Sequence, residues 1–223
     1  MKNKEYLDES AKHSFEELMR IAKLLNIHGL HPIVIGGWAV HHYTKGAGSV
    51  DIDMILPKQA IQIIEKYSRQ HKFRRDKRAK TRVLFKKEDG AGELDLDIFA
   101  LSDKNRLASD RSIEIPWRLA ERNSREWKLG KNTRARVPCK EILLLYKAAA
   151  LQDREYKIKT WANLSKLARD RLKAKIAKDK NDIIGLLKCE LNRKKLDKLL
   201  KETKFEKHFN EIISKTQLNP PER

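Results

Sequence analysis

Two aspartates, Asp51 and Asp53, sit two residues apart in the run Ser49-Val-Asp-Ile-Asp-Met-Ile-Leu56. The apolar residues around them predict a β-strand, and alternate residues of a strand point to one face. Asp51 and Asp53 are then neighbours, while Val50, Ile52 and Met54 fill the other face. Carboxylates this close repel each other unless a cation lies between them. Hard oxygen ligands favour Mg²⁺ or Mn²⁺. An Asp-x-Asp by itself is equally at home on a solvated strand edge, so its surroundings decide what it means.

Two surroundings matter. Gly36-Gly37 directly follows the apolar run Ile33-Val-Ile35 and precedes a helical stretch. Backbone amides at such a turn can approach a phosphate closely, and a helix N-terminus attracts one. A second acidic strand follows at Glu93-Leu-Asp95-Leu-Asp97-Ile-Phe99, whose acids again share one face.

Gly-Gly, thirteen intervening residues, Asp-x-Asp and a later acidic strand together resemble the DNA polymerase β-type nucleotidyltransferase superfamily, over roughly residues 30–101. The resemblance implies that Gly36 and Gly37 hold the phosphates of an incoming nucleoside triphosphate (NTP). It implies equally that three carboxylates bind two Mg²⁺ ions. In that superfamily the last carboxylate precedes a mostly apolar run, which fits Asp97-Ile-Phe-Ala-Leu101 best. Asp95 is the alternative, and Glu93 falls at the exposed start of the strand. Related enzymes often carry Arg-x-Thr before the Asp pair. Here Gly48 and Ser49 stand there with Lys45 nearby, so Ser49 is a candidate nucleotide contact and the triphosphate's supporting side chain stays open.

The second half of the chain is similar to the helical half of AbiEii-type toxin nucleotidyltransferases. The residues that carry this are Pro138, Leu144, Lys147-Ala148, Arg154 and Lys178-Asp179-Lys-Asn-Asp182, with a longer basic insertion between Arg154 and Lys178. The resemblance implies that Lys147 touches the nucleotide phosphates and that Asp179 or Asp182 completes the site. From the residues alone, a buried Lys–Asp pair tying two helices together fits as well.

The elements that must position these groups follow from periodicity. Phe15, Leu18, Ile21, Leu24 and Leu25 recur at helical spacing over residues 8–26, and Gly29 with Pro32 ends that helix. Pro57 suits the first turn of a helix running to about Gln70. Residues 72–87 crowd Lys72, Arg74, Arg75, Lys77, Arg78, Lys80, Arg82, Lys86 and Lys87 around Asp76. Val83-Leu84-Phe85 marks a strand in that stretch, joined to the acidic strand through Asp89-Gly-Ala-Gly92. His41 and His42 lie on the helix after the Gly pair at a spacing that does not make a metal site, so packing or solvent contact is their expected role. Cys139 opens an apolar helix to Gln152, and helices continue to about Ser214, ahead of an Asn219–Arg223 tail.

The expected fold is α+β. A nucleotidyltransferase domain over residues 1–110, with a mixed sheet and flanking helices, precedes a mostly helical, basic domain over 111–223. In that half Trp117 and Trp127 interleave with cations, which suits either base stacking or an ordinary core.

Lys and Arg number 50 against 31 Asp and Glu, a net charge of +19. Such an excess concentrates polyanions, although a Lys-rich surface also accompanies heat adaptation. Cys139 and Cys189 cannot build a disulfide framework and match no zinc spacing. No apolar run reaches membrane-spanning length, and the start of the chain has no signal core, so a cytoplasmic protein without membrane contact is expected.

The function expected from all this is metal-dependent nucleotide transfer from an NTP to a hydroxyl, foremost on RNA such as tRNA, as a toxin with a possible antitoxin partner or as an RNA-modifying enzyme. Nucleotidylation of a small molecule such as an antibiotic is the alternative, and a non-catalytic nucleic-acid-binding module is a third reading.

Overall fold

The computed structural model describes residues 8–77, 82–89 and 92–218. Arg78, Lys80, Gly90, Ala91 and the tail from Asn219 therefore lie outside the described residues. The chain divides into two units, one made of residues up to Asp103 and Pro116–Cys139, the other of Lys104–Ile115 and Lys140 onward.

In the first unit α1 (Glu9–Ile27) starts where the Asp8 carboxylate accepts a hydrogen bond from the Ala11 amide at 2.7 Å. It ends before Gly29, whose φ of 71° reverses the chain cheaply only without a side chain. β1 (Ile33–Ile35) leads straight into α2 (Gly36–Thr44), and β2 (Ile52–Leu56) leads into α3 (Lys58–Gln70), with Pro57 capping rather than opening that helix. β3 (Arg74–Arg75), β4 (Val83–Asp89) and β5 (Gly92–Ala100) follow.

α4 (Arg118–Arg122) is a single short turn of helix before β6 (Ser124–Gly130) and β7 (Thr133–Pro138). The last two come from the stretch that composition assigns to the helical half, yet they belong to the sheet. The strand order is β3-β4-β5-β2-β1-β7-β6. β2 runs parallel to β5 and β1 parallel to β7, and the remaining neighbours are antiparallel.

The two faces of this sheet differ. Ile52, Met54, Phe85, Leu94, Leu96 and Ile98 point into a core closed by α1 and α3, where Leu18, Ile21, Leu25, Ala60 and Ile64 are fully buried. Under that helix pair the buried Glu17 carboxylate accepts hydrogen bonds from Tyr67 Oη at 2.5 Å and Arg20 Nη1 at 2.9 Å. Burial, then this bond, raises the Tyr67 phenol well above its usual pKa. On the opposite face Phe99 packs on Trp117 at one end, with ring centroids 4.5 Å apart. The other end carries Asp53, Asp95 and Asp97.

Val50 does not take its expected place on the core face. Val50 and Asp51 form a bend, the strand begins at Ile52, and the Val50 side chain is 39% exposed. The bend follows Gly48, whose φ of 78° turns the chain before the pleat can start.

The second unit is helical: α5 (Lys140–Thr160), α6 (Lys166–Leu187), α7 (Arg193–Glu202) and α8 (Glu206–Leu218). Ser165 caps α6, its hydroxyl accepting from the Ala168 amide at 3.2 Å. The Glu141 carboxylate accepts from the Asn192 amide at 2.7 Å, fixing the start of α7 to α5. Among the described residues no helix is long and apolar enough to cross a membrane.

Candidate functional site

The site in the first unit grows from the junction of β1 with α2. Ile35 is extended and Gly36 has φ 65°, so the chain swings from strand to helix within one residue. Only glycine fits there. A Cβ built on Gly36 would lie 2.0 Å from Asp53 Oδ2 and 2.6 Å from its Cγ. The Asp53 carboxylate therefore lies directly against the first turn of α2, whose leading backbone N–H groups have no partner within the helix. Gly37 is buried in that same turn.

Asp97 comes in from β5. The parallel ladder sets Asp53 opposite Asp97 and Ile55 opposite Phe99, so the two carboxyl groups share one rung and one face. Like charges directly opposite each other on a sheet repel. Asp97 is 8% exposed and forms an ion pair from its Oδ1 to Arg82 Nε at 2.5 Å. Arg82 lies immediately before β4. There Leu84 faces Asp97, which places Arg82 on the diagonal, within reach of a long side chain.

Asp95 sits one pleat back and opposite Lys86, at 3.1 Å, and Lys86 also reaches Glu93 at 3.1 Å. Burial works against the Lys86 charge, but hydrogen bonds to Asp95 and Glu93 outweigh it and raise its pKa.

Asp51 lies on the bend ahead of β2, and its amide donates to Ser49 Oγ at 3.3 Å. Ser49 itself is buried at 4% exposure, so its hydroxyl shapes the bend. Among the described residues no three His, Cys, Asp or Glu side chains gather as ligands for a metal ion. Asp51 stands on the bend ahead of β2, and Arg82 pairs with Asp97. The donor chemistry still suits a hard divalent cation, because two carboxylates on one rung need a positive charge between them.

An aromatic cluster packs against the core under α1. His42 meets Trp127 edge-on at 4.8 Å, Trp127 lies 6.3 Å from Phe15, and the Arg125 guanidinium lies 5.0 Å from the centre of the Tyr43 ring. Burial, followed by the charge of Arg125 and Lys45, pushes His42 down to about 4. His41 Nδ1 donates to the Gly46 carbonyl. Both histidines are thus occupied in packing and hydrogen bonding. Trp117 is a core residue and Trp127 is partly buried against Phe15 and His42.

In the second unit Lys147, Asp179 and Asp182 do meet. Lys147 Nζ lies 3.1 Å from Asp179 Oδ1 and 2.6 Å from Asp182 Oδ2, and Arg154 pairs with the other oxygen of Asp179. Asp179 is 2% exposed and Lys147 9%. Opposite charges alternate through this cluster and tie α5 to α6.

Sequence reasoning placed Arg82 only among the hairpin's cations. Its partner follows by counting back from Leu84 once the register of the β4–β5 hairpin is known.

No protein-family profile and no curated protein sequence matches the chain. Among solved structures it is similar to the lincosamide antibiotic adenylyltransferase LnuA bound to lincomycin, with 17% identity, 78% of this chain and 96% of that one covered, and a TM-score of 0.46. It is similar also to ANT(2")-Ia in complex with adenylyl-2"-tobramycin, with 13% identity, 87% and 98% covered, and a TM-score of 0.47. A solution structure of the antibiotic-resistance factor ANT(2'')-Ia gives 13% identity, 79% and 90% covered, and a TM-score of 0.45.

Proposed function

We propose that this chain is a nucleotidyltransferase that moves a nucleotide from an NTP to a hydroxyl acceptor. The observation that carries the reading is the contact of Gly36 with Asp53, with Asp97 on the same rung. The first turn of a helix and a pair of carboxylates are thereby held together by the backbone itself.

In this reading the Gly36 and Gly37 amides cradle the triphosphate at the N-terminus of α2. Asp51, Asp53 and Asp97 would hold the divalent cations, Mg²⁺ or Mn²⁺, which neutralise triphosphate charge and lower the pKa of the acceptor hydroxyl. The acceptor oxygen bonds to the α-phosphorus as the bond to the leaving pyrophosphate breaks, and the Asp97 carboxylate takes the acceptor's proton. The protein's contribution is positioning and preorganised charge. Lys147, Asp179 and Asp182 retain a second reading as nucleotide contacts. Their mutual pairing favours a structural role, and loss of NTP affinity in Lys147→Met with an unchanged melting temperature would reverse that preference.

Two acceptors fit. A small hydroxylated molecule is the kind of acceptor the similar solved structures are described with, tobramycin and lincomycin among them. RNA is favoured by the net charge of +19. Incubation with radiolabelled NTPs, Mg²⁺, total RNA and a panel of hydroxylated antibiotics separates them. Label in an antibiotic supports the first, label in tRNA-sized RNA the second. Absence of any transfer, with Asp53→Ala indistinguishable from the parent protein, would overturn the enzyme.

A further inference from the structure

The carboxylate pair carries its own positive charge. Arg82 and Lys86 alternate along the start of β4 and project to the face that bears Asp95 and Asp97. Their pairings differ. Lys86 sits opposite Asp95 and is shared between Asp95 and Glu93. Arg82 reaches diagonally past Leu84 to the one carboxylate that faces Asp53.

We infer that Arg82 is a resident counter-ion of Asp97, which a divalent cation must displace before the Asp53–Asp97 rung can hold it. This rests on the nucleotidyl-transfer reading of those two aspartates. Two like charges on one rung would repel, and a guanidinium on Asp97 relieves that repulsion. The Arg82 side chain is 39% exposed, so water screens the pair and it can be exchanged. A doubly charged ion on the rung would neutralise both aspartates at once, which a single guanidinium cannot do. Arg82 is accordingly a positioning residue, and it sets how much free metal is needed to load the site.

The test is direct titration of the full-length protein with Mn²⁺ alone, following the free-ion signal by electron paramagnetic resonance. Arg82→Gln is expected to bind Mn²⁺ about fivefold more tightly than the parent. Arg82→Lys, which keeps the charge but loses the fixed fork, should fall between them. Lys86→Gln removes the same unit of charge and should change affinity by less than about twofold. In an Asp97→Asn background the Arg82→Gln gain should vanish.

Equal or weaker Mn²⁺ binding by Arg82→Gln overturns the inference, as does an equal gain from Lys86→Gln or a gain that survives Asp97→Asn. If Asp53→Asn and Asp97→Asn bind Mn²⁺ as the parent does, the transfer reading falls with it. If those two lose binding and Arg82→Gln gains none, only the role of Arg82 falls.

Discussion

Asp53 with Asp97, and Asp179 with Asp182, are two aspartate pairs that the chain uses in opposite ways. In the helical unit the signs alternate: Lys147 lies between Asp179 and Asp182, and Arg154 takes the far oxygen of Asp179. Two bases there balance two acids. In the sheet two carboxylates occupy one rung, and one of them fills the space that a methyl group on Gly36 would need. Two like charges on one rung call for a cation, which is why the arrangement points to chemistry. Charged residues alone distinguish neither pair; the order of signs in space does.

The sharpest way to break this contrast is to remove one aspartate from each pair. Asp53→Asn should lower nucleotide transfer by roughly a thousandfold, measured with labelled NTP, without lowering the thermal midpoint. Asp179→Ala should do the reverse. With Lys147 and Arg154 left together at a buried position, stability should fall by about 3–5 kcal/mol, read from urea unfolding. If Asp53→Asn melts earlier and Asp179→Ala does not, the assignments are exchanged.

Gly36→Ala sharpens the catalytic side. The added methyl must push the Asp53 carboxylate aside at a backbone φ of 65°. Transfer should drop by about a hundredfold, and a Gly37→Ala variant should differ from it because Gly37 has no positive φ.

The smallest expected effect concerns His42. Its folded pKa, about 4, lies below the ordinary 6.5. The unfolded chain therefore binds the proton first as pH falls, so the stabilisation is full above about 6.5 and is lost between there and about 4. With the ring partly open to solvent, the loss is roughly 1 kcal/mol after allowance for screening. His42→Phe should flatten that part of the stability profile, and an unchanged profile would remove His42 as its source.

Much of this could be read from residue order, for identifiable reasons. Strands β2 and β5 carry alternation strong enough to put Ile52, Met54, Leu96 and Ile98 on one face and Asp53, Asp95 and Asp97 on the other. α1 and α3 follow their apolar spacing, with α3 beginning one residue after Pro57.

The misreadings have causes of the same kind. Val50 continues the alternation on paper, but the turn after Gly48 delays the strand by two residues. β6 and β7 are Arg- and Lys-rich, and Trp127 and Ala135 supply little apolar contrast, so cation-rich segments hid a hairpin. The partner of Arg82 depends on the exact register of the β4–β5 hairpin, which the alternation of Val83-Leu84-Phe85 alone does not specify.

That late hairpin has a practical consequence. β7 is the strand that pairs with β1, Ile33 lying opposite Arg136 and the Arg136 amide donating to the Pro32 carbonyl at 2.8 Å. A fragment truncated near residue 110 would leave Ile33-Val-Ile35 as a bare, wholly apolar margin, a template for intermolecular strand addition and inclusion bodies.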